Sequence, residues 1–189
     1  MRVGVFALQG DVREHLLILS KLGVDTLEVR NATALNEIDS LILPGGESTT
    51  MSKLIDIFDL RKPLQEFIVS GKPVFGTCAG MIMLASNVVD SAAGQQSLNA
   101  MDISVQRNAF GSQLDSFEAT VSFAGQDAKV AFIRAPKVLE AGDGVEVLSK
   151  LEDGSIVAVR QKNLLATAFH PELTGDSSVH SYFLGMAQS

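Results

Sequence analysis

Five residues, Gly76-Thr77-Cys78-Ala79-Gly80, constrain this chain more than any others. They stand between an apolar run opened by Lys72-Pro73 and a helix-like stretch, Met81-Ile82-Met83-Leu84-Ala85, and they hold the single cysteine of 189 residues. A small-residue turn from a strand into a helix pushes the side chain at its apex out of the sheet. It also leaves the next backbone N–H groups free at the helix N-terminus. A thiol placed there can attack, and the neighbouring amides can hold the negative charge that develops in acyl transfer. A second reading stands beside this one, because a lone cysteine among apolar neighbours commonly serves as a small buried hydrophobe. The stretch alone leaves both open.

The residues before it alternate in character. Val3 to Leu8 is a short apolar run ending at Gln9-Gly10, the pattern of a buried strand followed by a turn. Asp11-Val12-Arg13-Glu14 has the spacing of a capping box, and Leu16, Leu19 and Leu22 carry an apolar helical face to a stop at Gly23. Val24 to Val29 predicts the next strand. Ser40-Leu41-Ile42-Leu43 predicts a third, followed by Pro44-Gly45-Gly46-Glu47-Ser48-Thr49-Thr50. Two glycines there permit positive-φ geometry, and Ser48, Thr49 or Thr50 is placed to cap the following helix. That loop reads either as an ordinary strand-to-helix connection or as part of a site. It is not a Walker loop, since the Gly-Lys-Ser/Thr ending is missing. Met51 to Ser70 predicts helix with a break near Asp59 to Pro63, and Gly71 ends it before Val74-Phe75 leads into Cys78. In a parallel sheet the strand ends at Gln9, Gly46 and Cys78 lie along one edge, where ligands of open α/β sheets collect.

Residues 87 to 100 are small and polar and read as a surface excursion. Beyond them Ile103 to Gln106, Phe117 to Val121, Lys129 to Ile133, Gly144 to Leu148, Ser155 to Arg160 and Leu164 to Phe169 predict closely spaced strands. Without helices between them, these are expected to be antiparallel additions to the parallel sheet. Asp176 to Met186 returns to helix. The expectation is one α/β domain over residues 1–189, with a mostly parallel central sheet and added antiparallel strands.

Several classes of function are excluded at this stage. A formal charge of −7 and the lack of a basic run argue against a nucleic-acid partner. No stretch approaches the roughly 18 apolar residues that span a bilayer, and Met1 to Leu8 gives way too quickly to polar residues to be a signal peptide. With a single cysteine and no internal disulfide, the expected location is cytoplasmic. One cysteine and three scattered histidines also lack the short ligand spacing of a zinc site, so no metal or cofactor is expected.

The histidines differ in context. His15 and His180 fall inside predicted helices and read as surface or packing residues. His170 leaves an apolar run and precedes Pro171-Glu172. In extended backbone, residues two apart share a side, so His170 and Glu172 can meet. Such a pair fixes a histidine tautomer and stabilises imidazolium. The alternative is a polar turn leaving a strand. Together with Cys78 the pair would supply nucleophile, base and orienting acid. Arg107 and Arg134 stand at strand ends, where an arginine fork suits a carboxylate-bearing substrate, although exposed arginines usually do nothing specific.

The ordered set Leu8-Gln9-Gly10, Arg13-Glu14-His15, Pro44 to Thr50, Gly76 to Gly80, Arg107-Asn108-x-Phe110-Gly111, Asp115-Ser116-Phe117-Glu118, Phe132 to Pro136 and His170-Pro171-Glu172 closely resembles one family. It is that of the glutaminase subunits of pyridoxal 5′-phosphate synthase, a branch of the class I, or triad, glutamine amidotransferases. The resemblance spans nearly the whole chain and implies a flavodoxin-like three-layer sandwich. It implies Cys78 as nucleophile, His170 as base and acid, and Glu172 as the residue that orients the histidine. The backbone N–H groups of Gly46 and Ala79 match the oxyanion-hole positions, with Gln9 and Gly10 nearby. Glu47, Ser48, Arg107, Ile133 and Arg134 match glutamine-binding positions.

The resemblance further implies release of ammonia from L-glutamine through a γ-glutamyl thioester. It implies a (β/α)8-barrel synthase partner in a large hetero-oligomer, and weak or no activity until the two dock. Two other functions compete: a thiol hydrolase or peptidase on a related scaffold, and a non-catalytic docking subunit with a buried cysteine.

Overall fold

The computed structural model describes residues 1–110 and 116–188. Gly111 and Asp115, which belong to the motifs above, lie outside the described residues. In the first half the strands β1 (Arg2–Phe6), β2 (Asp25–Val29), β3 (Ser40–Leu43) and β4 (Val74–Thr77) alternate with helices. The helices are α1 (Val12–Lys21), α2 (Ala32–Leu35), α3 (Ser48–Ile57) and α4 (Arg61–Val69). A short helix, α5 (Ala79–Leu84), follows β4 directly, and then come β5 (Ala85–Val89) and β6 (Met101–Gln106). The second half carries β7 (Phe117–Phe123), β8 (Gln126–Phe132), β9 (Lys137–Ala141), β10 (Glu146–Lys150), β11 (Ile156–Gln161) and β12 (Leu164–Thr167). A single 3-10 turn over Pro171–Leu173 and helix α6 (Ser178–Met186) close the chain.

Among the described residues, one large sheet runs in the order β2-β1-β3-β4-β12-β11-β9-β6-β5, with β10 also paired to β11. The strands from β2 to β12 along this path are parallel, and β5 pairs β6 parallel; β11 pairs antiparallel with β12, β9 and β10, and β6 with β9. With helices flanking it, the arrangement is a flavodoxin-like α/β fold. The sequence texture has a direct cause here. β3, β4 and β12 are buried at every position, as parallel strands covered on both faces must be, so they read as unbroken apolar or small runs. β6 alternates buried with more exposed positions, the mark of a strand with one face toward solvent. Helix α1 buries His15, Ile18 and Leu19, and α3 buries Ser48, Met51, Ser52 and Ile55, each at helical spacing.

The structure corrects several expectations. β7 and β8 do not join the main sheet but form their own two-stranded ribbon, with β7 lying against β10. β12 is not an antiparallel addition, because it extends the parallel sheet beside β4. Residues 87 to 100 are only partly a surface excursion, since residues 85–89 form a strand and Leu98 is buried. The strand β9 and the short helix α2 had no distinct signal in the sequence. Asp11 makes no side-chain cap on α1, so the capping box does not form. Helix α3 is capped not by a hydroxyl but by the Glu47 carboxylate, which accepts from the N–H groups of Thr49 and Thr50 at 3.1 and 2.7 Å.

Close backbone contact holds α5 over the sheet. A Cβ added at Gly80 would stand 2.1 Å from the Leu43 carbonyl oxygen, and one at Gly76 would stand 2.5 Å from the Gly80 carbonyl carbon. Gly80→Ala is therefore expected to destabilise the fold by about 1–3 kcal/mol through overpacking. Gly185→Ala in α6, where among the described residues an added Cβ meets no heavy atom within 4 Å beyond its chain neighbours and the helix's own backbone, should gain roughly 0.5–1 kcal/mol from the lower backbone entropy cost. Urea unfolding of the two variants checks this; coincident midpoints would contradict it.

Candidate active site

The four central parallel strands β1, β3, β4 and β12 are neighbours, and the segments leaving their carboxyl ends converge. They deliver Gln9 to Asp11, Gly45 to Glu47, Cys78, and His170. Cys78 sits between β4 and α5 with φ 47° and ψ −100°, a conformation that is costly for a residue with a Cβ. Its backbone is pinned on both sides. The N–H donates to the Thr167 carbonyl of β12 at 2.8 Å, and the carbonyl accepts from Ile82 N–H at 3.2 Å. The side chain is turned out of the sheet and is 6% exposed, with Sγ 3.9 Å from the Ile133 carbonyl oxygen. Ala79 opens α5, so its N–H has no partner within that helix.

His170 and Glu172 meet, though not through extended backbone. His170 is extended, whereas Glu172 lies in the 3-10 turn, and that single turn brings Nδ1 within 2.7 Å of Oε1. His170 is fastened to β8 by an antiparallel bridge to Ala131, with N–H to O distances of 2.7 and 3.1 Å. The same bridge brings Ile133 and Arg134 to the site. A third carboxylate stands here: Asp11 Oδ2 is 3.3 Å from His170 Nδ1. Burial disfavours the imidazolium, but the side chains of Asp11, Cys78 and Glu172 outweigh it and raise the pKa of His170 above its ordinary value. Burial likewise pushes the Glu172 carboxyl up, while its bond to His170 pulls it back.

His15 and His180 are fully buried rather than on the surface. His15 Nδ1 lies 2.9 Å from His180 Nε2, and His15 Nε2 lies 3.3 Å from Thr77 Oγ1 and 3.5 Å from Glu172 Oε1. Sequence reasoning missed this contact as well as that of Asp11. The available signal was spacing, since His15 shares the helical stripe of Ile18 and Leu19.

A cavity of about 230 Å³ opens over Cys78 and His170. Gly46, Glu47, Ser48, Arg107, Ile133 and Arg134 line it, as do Asp11, Asn108, Ile82 and Leu173. Arg107 reaches Glu47 Oε1 from Nη2 at 3.3 Å and Gln95 Oε1 from Nη1 at 3.0 Å, while Gln95 Nε2 donates to Ser48 Oγ at 3.0 Å. Gln95 is a further residue that the sequence did not single out. Burial raises the Glu47 carboxyl, but the amides of Thr50 and Thr49 outweigh it and hold the group below its ordinary value. Gln9 and Gly10 pack on Gly46: Gln9 Oε1 accepts from Glu47 N–H at 3.0 Å, and a Cβ at Gly46 would stand 2.3 Å from that oxygen. A Cβ at Gly45 would strike the His170 ring at 2.2 Å, so only glycines let this loop approach. A larger hollow of about 460 Å³ lies at the opposite end of the sheet near Gly71, Asp102 and Asn163, and its lining has no cysteine or histidine.

Asp11, His170 and Glu172 are a group among the described residues with ligand atoms close enough to hold a metal ion. Both carboxylates address the same imidazole nitrogen, which suits a shared N–H donor better than a ligand set. What the arrangement can do is acyl transfer: a thiol at a strained elbow, an imidazole held by an acid, and amides at a helix N-terminus.

The fold and this site fit the class of glutamine amidotransferases on an α/β sheet. The profile of the SNO glutamine amidotransferase family matches residues 5–189, and the chain belongs to that family. A protein of Dehalococcoides mccartyi strain CBDB1 named pyridoxal 5′-phosphate synthase subunit PdxT is 53% identical, over 100% of this chain and 98% of its own length. A PdxT of Acidothermus cellulolyticus is 55% identical over 98% of this chain and 93% of its own. A crystal structure titled glutamine amidotransferase superposes with a TM-score of 0.93 at 44% identity, covering 99% of both chains.

The buried histidines set a pH dependence. Burial brings His180 down to about 4, and burial with the neighbouring charges of His180 and His170 keeps His15 well below 6.5. Both are neutral in the folded chain near pH 7. Below about 6.5 the unfolded chain binds protons that the folded chain refuses, so stability falls as pH drops from about 6.5 towards 4. The raised pKa of His170 acts in another window: its contribution is complete below 6.5 and is lost only as pH rises through the folded value. Urea unfolding at pH 7 and pH 5 should show a lower stability at pH 5, by roughly 2 kcal/mol from His180, with His15 acting in the same direction. An unchanged stability would contradict neutral burial.

Proposed function

We infer that the chain is the glutaminase subunit of a pyridoxal 5′-phosphate synthase, a single amidotransferase domain that hydrolyses L-glutamine to L-glutamate and ammonia for a synthase partner. The observation that carries this reading is the strained Cys78 beside the His170–Glu172 pair, in a chain of the SNO glutamine amidotransferase family. Glutamine enters the cavity with its side-chain amide towards Cys78. The α-ammonium and α-carboxylate meet a carboxylate and a guanidinium, Glu47 and Arg107, with Ser48, Ile133 and Arg134 completing the binding surface.

The Cys78 thiolate attacks the δ-carbon, and the oxyanion is held by the N–H groups of Gly46 and Ala79. His170, charged by the thiol proton, gives it to the leaving nitrogen, so ammonia departs and a γ-glutamyl thioester remains. Water, deprotonated by His170, then cleaves the thioester to glutamate and restores the thiol. Glu172 holds the ring through Nδ1 and stabilises the imidazolium. The relatives' name, synthase subunit, supports a partner that consumes the ammonia. By resemblance that partner is a (β/α)8-barrel subunit in a large cytoplasmic hetero-oligomer.

Steady-state release of glutamate and ammonia tests this, with the chain alone and mixed with a synthase subunit. Turnover should appear on mixing. Cys78→Ala should lose at least about ten-thousandfold, His170→Asn about a hundredfold or more, and Glu172→Gln about ten- to a hundredfold, with folding unchanged. No turnover with a competent partner would leave the docking-subunit reading.

A further inference from the structure

Glu172 is approached by imidazoles from two sides. Its Oε1 lies 2.7 Å from His170 Nδ1 and 3.5 Å from His15 Nε2, while its Oε2 has no hydrogen-bond partner among the described residues. The carboxylate and the His15 ring are both fully buried. A buried carboxylate stays ionised only where donors replace the water it has lost. His170 supplies one such donor. The question is what His15 presents.

The hydrogen-bond chain answers it. His15 Nδ1 is 2.9 Å from His180 Nε2, and His180 Nδ1 has no partner among the described residues. Two neutral rings joined by one bond allow two arrangements. If His15 carried its proton on Nδ1, His180 would have to accept at Nε2 and carry its own on Nδ1. That would leave an N–H donor buried without an acceptor and turn a bare His15 lone pair on the Glu172 carboxylate. If both rings carry the proton on Nε2, His180 donates to His15 Nδ1 and His15 presents N–H to Glu172 and Thr77. Only a bare nitrogen is then left over. The His15 N–H then bonds Thr77 Oγ1 at 3.3 Å and stands 3.5 Å from Glu172 Oε1, a charge–dipole contact beside that bond.

We propose that His15 is a positioning residue for the His170–Glu172 pair: neutral, protonated on Nε2 and oriented by His180, it donates to Thr77 and turns the positive end of that N–H towards Glu172 Oε1, which favours the ionised carboxylate aimed at His170. The inference rests on the triad reading given above. It places a second imidazole behind the acid, reaching from α6 through α1 to the 3-10 turn, and it also touches Thr77, the residue before the nucleophile. The ordinary account of such a pair is packing: His15 and His180 stand edge-on to Phe75, at 6.4 and 5.8 Å between ring centroids. Packing alone does not require a particular tautomer, and it would not move the pH at which Glu172 protonates.

The titratable groups facing Glu172 are His170 and His15, with Asp11 acting across His170. Behind His15 stands His180, which feels Asp176 near the head of α6. Removing the His15 donor leaves Glu172 easier to protonate, so the acidic limb of the kcat/KM profile moves to higher pH.

Two arms test the proposal. The first is nitrogen-15 NMR of the whole chain, whose three histidines give a resolvable set. His15 and His180 should both be Nε2–H tautomers at pH 7, and an Nδ1–H tautomer at His15 would overturn the proposal. The second uses the complex with a synthase subunit. His15→Gln places an amide N–H near the lost Nε2, whereas His15→Asn reaches only as far as Nδ1. His15→Asn should lose on the order of tenfold in kcat. Its KM for glutamine should stay within about twofold and its acidic limb should move upward, with His15→Gln recovering most of the loss. Equal behaviour of both variants contradicts the proposal, whether both match the wild type or both fall in step with thermal stability. A wild-type complex without turnover would refute the glutaminase reading instead, and the tautomer would still decide the role of His15.

Discussion

The N–H of Cys78 reaches the Thr167 carbonyl and its own carbonyl takes the Ile82 N–H, and between these two bonds the backbone is forced to φ 47°. That strain, of about 1–3 kcal/mol, persists because the sheet on one side and the helix on the other leave no alternative path. Much of the surrounding structure follows from it. Gly76 and Gly80 are needed because α5 must start immediately and lie on the backbone of β3. β12 must pair with β4 because it supplies the acceptor for the Cys78 N–H, and continuing past that strand delivers His170 to the same edge.

The second constraint is electrostatic. Three histidines and a glutamate lie buried together at one end of the sheet, and such groups are tolerable only if the protons are distributed so that few donors and charges go unmatched. His170, beside two carboxylates and a thiol, is the ring on which a positive charge is supported. His15 and His180 are kept neutral by burial. A ring on which charge is supported in front of the acid, with two neutral rings behind it, is a polarised arrangement that suits the proton transfers proposed for His170.

Much of this was legible in the sequence, for reasons that are physical. Parallel strands buried on both faces leave unbroken apolar runs, so β1, β3, β4 and β12 were readable, and small residues after them marked the loops that carry the site. Of the candidates, Gly46, Glu47, Ser48, Cys78, Arg107, Ile133, Arg134 and His170 line the cavity, whereas Gln9 and Gly10 pack on Gly46, Ala79 follows Cys78 and Glu172 is buried behind His170. What escaped depended on contacts distant in sequence. Asp11 looked like a helix cap because it precedes α1, yet its carboxylate turns to a histidine 159 positions away, a contact that no local pattern encodes. His15 and His180 looked like packing residues because burial of a polar ring is decided by its partners. The ribbon of β7 and β8 has the alternation of any antiparallel pair, and nothing in that alternation says which sheet it joins.

The central claim is that the strained elbow makes Cys78 the nucleophile towards glutamine. Its most direct test is mass spectrometry of the chain, in complex with a synthase subunit, after exposure to a glutamine analogue bearing an electrophilic carbon in place of the side-chain amide. The account predicts one adduct, located on Cys78 and suppressed by excess glutamine. A chain left unmodified at Cys78, or modified there regardless of glutamine, would contradict it.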